Sequence, residues 1–322
     1  MVSFYDQESA NRRNSALLVF LVILVVALFG YVIGYAMTGD MAGAMIAVGV
    51  SLGLSTLSAI GSYFGGDQIV LRSSRAQEIS RRQFPELFDV VEEMATAAAV
   101  PMPRVCIIDD PSPNAFATGR DPQHASVAIT TGLLQKLDRE ELQGVIGHEM
   151  SHVRNYDIRF SLLVGVLVGG ISLLAQFFLR WTFWFGGGSR QNGRNDGSLI
   201  GIVFVLVGLV LSILAPIFTT LVRLAVSRQR EYLADASSVE LTRNPDGLER
   251  ALEKVAADPE PLEAASGATQ HMYIVNPLKK VGGGSALPST HPSIVDRINR
   301  LRQLTGERPL DTVAVGALAG LE

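Results

Sequence analysis

The sequence predicts a mainly α membrane protein: four transmembrane helices and one α+β cytoplasmic domain with a small sheet. Three observations lead there. Only 18% of the 322 residues are charged and the mean hydropathy is +0.28, against roughly 25% charged in ordinary soluble proteins. The deficit sits in four charge-free runs, 16–37, 41–64, 160–179 and 199–222. Each is long enough, at about 1.5 Å per helical residue, to cross a hydrocarbon core of about 30 Å. All 27 Lys and Arg and all 31 Asp and Glu fall outside them, which restores the remainder to the charge content of a soluble protein. Arginine then orients the spans. Arg12, Arg13, Arg72, Arg75, Arg81, Arg82, Arg154, Arg159, Arg223, Arg228 and Arg230 flank one side, while Arg180, Arg190 and Arg194 occupy the other. By the positive-inside rule both termini face the cytoplasm.

The expected organisation follows the chain. Residues 1–65 form an N-terminal transmembrane hairpin, whose first run is too long for a signal-peptide core and reads as an uncleaved anchor. Residues 66–158 form the first part of the cytoplasmic domain. Residues 159–222 form a second hairpin with a far-side loop at 180–198, where Trp181, Phe183, Trp184 and Phe185 suit an interfacial aromatic belt. Residues 223–322 complete the cytoplasmic domain. Within the first part, Ile79, Phe84, Leu87, Val90, Val91 and Met94 keep a helical period over 75–99, closed by Pro101 and Pro103. Arg104–Ile108 and Ser126–Thr130 read as strands. Asp138 with Glu141 makes a capping box that opens a helix through Val153. After the fourth run, 228–241 and 245–256 read as helices, and a last one starts near Ser293.

Composition excludes some functions. A net charge of −4 and a pI near 5.8 give no basic footprint for nucleic acid. The single Cys106 rules out an internal disulfide and a cysteine-based zinc cluster. Gly49-Val50-Ser51-Leu52-Gly53 matches a hydrolase elbow, but it lies inside the second run where no strand–turn–helix can form. Gly49/Gly53 and Gly61/Gly65 read instead as helix-packing faces.

His148-Glu149-Met150-Ser151-His152 carries the chemistry. On a helix, residues four apart share a face, so both imidazoles can hold one ion, and Glu149 stands one position round as a base for water. A catalytic zinc needs a third protein ligand and an open position. Glu231 is the best candidate, with Asp235 four residues on to accept the N–H of a ligand histidine. The second hairpin thus lies between the metal ligands, placing one Zn2+ per chain close to the cytoplasmic membrane face.

These motifs resemble the HtpX family of bacterial integral membrane zinc metalloproteases, relatives of the CAAX prenyl endopeptidase. The likeness covers essentially the whole chain: two spans, H-E-x-x-H, a second hairpin and E-x-x-x-D, joined by Pro113–Gly119, Val275–Leu278 and Ser289–Pro292. It implies a zincin-like domain in which His148, His152 and Glu231 bind zinc and Glu149 is the base. It also implies cytoplasmic-face proteolysis of damaged or misassembled proteins of the bacterial inner membrane. The expected partners are membrane protein or peptide substrates, the lipid bilayer and other membrane quality-control proteases. Asn114 is a candidate for holding a substrate backbone on an edge strand, with a turn-forming role as its alternative. His291 is a candidate oxyanion donor, or a structural neighbour of the last helix.

Rival readings are a catalytically silent zinc-containing membrane scaffold, a transporter subunit and a CAAX-type prenyl-peptide protease. An intact Glu149 argues against the first, and the absence of charge within the runs against the second. For the third, the resemblance implies more than four spans.

Overall fold

The computed structural model describes residues 38–164, 228–258 and 292–310, with isolated positions from 13 to 35 and from 262 to 275. Its elements run α1 (Met41–Ser73), β1 (Gln77–Glu78), α2 (Pro85–Ala97), β2 (Arg104–Ile108), β3 (Ala115–Gly119), β4 (Ala125–Thr130), α3 (Thr131–Lys136), α4 (Arg139–Arg154), α5 (Arg228–Thr242), α6 (Pro245–Ala257) and α7 (Ile294–Thr305).

The strands form one mixed sheet in the order β1-β2-β4-β3. β2 and β4 are parallel, with Cys106 opposite Ala128, while β1 and β3 flank them antiparallel. Period-two alternation divides the side chains between two cores. Val105, Ala115, Ala117, Val127 and Ile129 join Leu87, Val90, Val145, Ile146, Leu248 and Ile298 from the helices. Cys106, Ile108, Phe116 and Ala128 face the other way, against Val70 and Leu71 at the end of α1. Burial of both faces explains why β3 and β4 have no exposed residue.

Two expectations change. The helical period over 75–99 begins as a helix only at Pro85: β1 pairs with β2, Ser80 and Gln83 close a turn, and proline at the first helical position fixes the start. The packing faces Gly49/Gly53 and Gly61/Gly65 meet no described neighbour, and the close approach in the first hairpin runs through Gly34, where a Cβ would collide with Ala44 and Ala47. Among the described residues, no helix is long and apolar enough to cross a membrane. The run 41–64 lies within α1; of the run 160–179 only the first five residues are described, 16–37 is described at isolated positions, and 199–222 and the loop 180–198 lie outside. α1 is nonetheless 33 residues long, and Met45, Ile46, Val50, Leu57, Ile60 and Phe64 on it are exposed.

Candidate metal centre

α4 places the motif. Asp138 accepts from the Glu141 backbone N–H at 2.9 Å, and the Glu141 carboxylate accepts from that of Asp138 at 2.9 Å, so the capping box is closed and the helix start is fixed. Ten residues on, His148 and Glu149 are buried, at 0% and 1% exposure. α5 crosses α4 closely because Gly147 faces it, at Ser238 and Thr242, and Ser238 Oγ donates to the Gly144 carbonyl at 2.6 Å, while Gly144 itself faces Gly247 and Leu248 on α6. That crossing brings Glu231, in the first turn of α5, over the two histidines.

His148 Nε2 and His152 Nε2 stand 3.2 Å apart, and Glu231 Oε2 and Oε1 lie 3.6 and 3.7 Å from them respectively. Nitrogen and oxygen ligands held at about 2.0–2.2 Å around a tetrahedral ion stand about 3.3–3.5 Å from one another. The three residues form a group whose donor atoms all lie within 4.8 Å. The backs of both rings are committed: His148 Nδ1 meets Asp235 Oδ1 at 2.9 Å, and His152 Nδ1 meets Asp157 Oδ2 at 2.9 Å. With each Nδ1–H donating to an aspartate, each Nε2 presents its lone pair toward the shared point, the tautomer a metal ligand needs. Spacing and donor chemistry both fit a divalent zinc ion.

The electrostatics agree. Burial lowers the His148 pKa, further helped by the Arg297 charge, against the pull of Asp235. Burial would lower His152 too, but the hydrogen bond to Asp157 and the charges of Glu231, Asp157 and Glu149 push it up to about 9. The carboxylates around His152 make a negative pocket that a cation would neutralise. Glu149 is raised to about 7, chiefly by burial and then by Glu231, while His152, a backbone hydrogen bond from Ala117 on β3 and Arg297 pull it down. Asp235 stays below the usual carboxylate range despite its burial, because the Arg297 charge and the bonds to His148 and Arg297 hold it there.

The structure thus brings together His148, Glu149, His152, Glu231 and Asp235. Asn114 is 3% exposed and its amide is bonded at both ends within the fold: Nδ2 donates to the Val275 carbonyl at 3.0 Å and Oδ1 accepts from the Ala115 backbone at 3.1 Å. His291, like His271, lies outside the described residues. Sequence reasoning missed Asp157 and Arg297. Arg297 is 1% exposed; it donates to Asp235 from Nη2 at 2.6 Å and Nε at 2.9 Å, and to the Ile274 carbonyl from Nη1 at 2.8 Å. A signal existed, since Arg297 interrupts the apolar stripe of Ile294, Ile298 and Leu301, where a charge is retained only with a partner.

A helix-borne histidine pair, an adjacent buried glutamate and a carboxylate from a second helix define a metallopeptidase centre. Comparison with known proteins places the chain within that class. Residues 81–305 match the pattern of peptidase family M48. A protein called Protease HtpX homolog from Streptococcus uberis is 45% identical over 304 residues, covering 93% of this chain and 99% of its own length. The homologue of the same name from Caldanaerobacter subterraneus is 44% identical, with 94% and 98% covered. The crystal structure of S. mikatae Ste24p overlaps 92% of this chain and 66% of its own at 17% identity, with a TM-score of 0.47. The chain belongs to peptidase family M48, among its HtpX-type proteases, and is a metalloprotease.

Proposed function

We propose that this metalloprotease is a zinc endopeptidase seated in the bacterial cytoplasmic membrane. In this reading it hydrolyses peptide bonds of damaged or misfolded membrane proteins at the cytoplasmic face. The observation that carries the reading is Glu149, buried beside the donor set of His148, His152 and Glu231 and bonded to the backbone of edge strand β3.

His148, His152 and Glu231 would hold the ion. When bound, zinc supplies a Lewis acid that polarises a peptide carbonyl and acidifies water. Glu149 takes the proton of the attacking water on its carboxylate and delivers it to the leaving amine, an exchange suited to a group pushed up to about 7. Asp235 and Asp157 hold the imidazoles with Nε2 facing inward. A substrate backbone laid along β3 would lie against Glu149, so strand addition brings the scissile bond to the base.

The membrane seat is supported by the exposed apolar side chains of α1, more than a soluble surface ordinarily leaves uncovered. It is supported also by Arg–aromatic pairs where α1 meets the domain. Arg120 lies over Phe64 at 5.1 Å, and Arg159 lies 5.9 Å from Tyr63 and 4.9 Å from Tyr156, side chains that suit a membrane interface.

The test is to incubate membranes with the wild-type chain or with Glu149→Gln and quantify membrane proteins by mass spectrometry. Accumulation of a defined set of membrane proteins with the variant is expected. Identical profiles would contradict the quality-control role.

A further inference from the structure

The two histidines are backed by the same arrangement. Behind His148 stands Asp235, gripped by two hydrogen bonds from Arg297. Behind His152 stands Asp157, whose Oδ1 faces Arg230 Nη1 at 3.6 Å. Asp157 and Arg230 are both buried, at 4% and 8% exposure, and the Arg230 guanidinium lies 5.1 Å from the Phe160 ring. Each imidazole is therefore followed by an aspartate and then an arginine.

We propose that Asp157 and Arg230 are a positioning pair for His152, and that through this pair the join between the exit of α4 and the start of α5 sets metal affinity. The inference rests on reading His148, His152 and Glu231 as metal ligands.

Sequence position carries the second half of the proposal. Asp157 lies just past the end of α4, five residues after His152, and Arg230 directly precedes Glu231. The pair thus joins the chain where it leaves α4 to the chain where it returns in α5, next to a ligand on each side. The turn that allows this is an unusual one. α4 ends at Arg154 with Asn155 as its cap, and Tyr156 follows at φ 59°. That left-handed conformation usually falls to glycine, and here it folds the chain back so that Asp157 reaches the His152 ring. A bulky residue persists in such a conformation only where its surroundings over-determine it. The Arg159 guanidinium over the Tyr156 ring is one such constraint.

Asp235 is shared between His148 and a bidentate arginine, so its orientation is fixed twice over. Arg230 Nη1 stands 3.6 Å from Asp157 Oδ1, and the His152 side chain is 17% exposed where that of His148 is 0% exposed. His152 is thus the more exposed of the two histidines, with Asp157 and Arg230 behind its ring.

The test measures zinc affinity of the full chain in detergent by competition with a chromophoric chelator, for the wild type, Asp157→Ala, Asp157→Asn, Arg230→Gln and the double variant Asp157→Ala/Arg230→Gln. Asp157→Ala should weaken zinc binding by about 10- to 100-fold. Asp157→Asn, which keeps an acceptor for Nδ1–H, should recover part of the loss. Arg230→Gln should lose less, and the double variant should be no weaker than Asp157→Ala, because the arginine acts through the aspartate. Cobalt-substituted Asp157→Asn should show displaced visible absorption bands, a signature that a general loss of packing would not give. Affinity within about twofold of wild type for a folded Asp157→Ala, or fully additive losses in the double variant, would overturn the pair; if Asp157→Ala does not fold, unchanged affinity and bands in Asp157→Asn do so. A wild-type chain that binds no zinc would sink the metal-site reading itself, so the two failures are distinguishable.

Discussion

At the scale of single residues, the site was legible where chemistry dictates spacing. Two histidines four apart, a glutamate between them and a second carboxylate pair four apart are local patterns, and the structure assembles them at 3.2–3.7 Å. Asp157 escaped because it follows a helix end through a left-handed turn that no residue type announces: Tyr156 stands where glycine would have marked it. Cys106 reads the same way from both sides. The sequence places it in an apolar run, and the structure buries it at 2% exposure against Phe116 and Tyr273. Burial, aided by the Glu78 charge and opposed by Arg104, pushes its thiol from 9.0 up to about 11. The fold favours the neutral form, so this contribution to stability is intact below pH 9 and shrinks as the pH rises toward 11 and the unfolded thiol ionises. Iodoacetamide at pH 8 should therefore leave Cys106 unmodified in the native chain and alkylate it fully in denaturant, as intact mass would record. Rapid native alkylation would contradict its burial.

At the scale of elements, helices announced by caps and prolines were found with boundaries close to those expected. The capping box opens α4, Pro245 opens α6, and Ser293 caps α7 with its side chain accepting from Asp296. β1 and β3 were not legible. β1 is two residues long, and β3 reads Ala-Phe-Ala-Thr-Gly with both faces buried, so neither shows the alternation that marks a half-exposed strand. Small residues at the α4 crossing make a sharper statement than periodicity does. A Cβ on Gly144 would lie 2.6 Å from the Leu248 backbone nitrogen and 2.8 Å from its Cα, atoms that cannot rotate aside. Alanine improves helix propensity by about 1 kcal/mol, but overpacking against another backbone costs about 1–3 kcal/mol. With contacts this short the second effect prevails. Gly144→Ala should lower the thermal midpoint by several degrees and loosen the α4–α6 contact that packs against the motif helix. A midpoint at or above wild type would contradict that packing.

At the scale of the whole molecule, the charge deficit and the arginine asymmetry define an orientation that the described residues neither contain nor oppose, since most of the apolar runs lie outside them. The orientation predicts that protease added to the non-cytoplasmic side of intact cells cuts within 186–197 while 66–158 stays protected; protection of the loop would reverse the topology. What the described residues do contain is a centre whose parts come from both sides of the second apolar pair, with α4 before it and α5 and α7 after it. The metal site is therefore complete only when α4, α5 and α7 pack together. The most direct measurement of the central claim pairs metal content with cleavage in the purified full chain. Glu149→Gln should retain about one zinc per chain, because Glu149 is not among the donors, and should cleave a denatured protein substrate about 10²–10⁴-fold more slowly than wild type. Cleavage by the variant at the wild-type rate would contradict the assignment of Glu149 as the base and, with it, the mechanism built on this site.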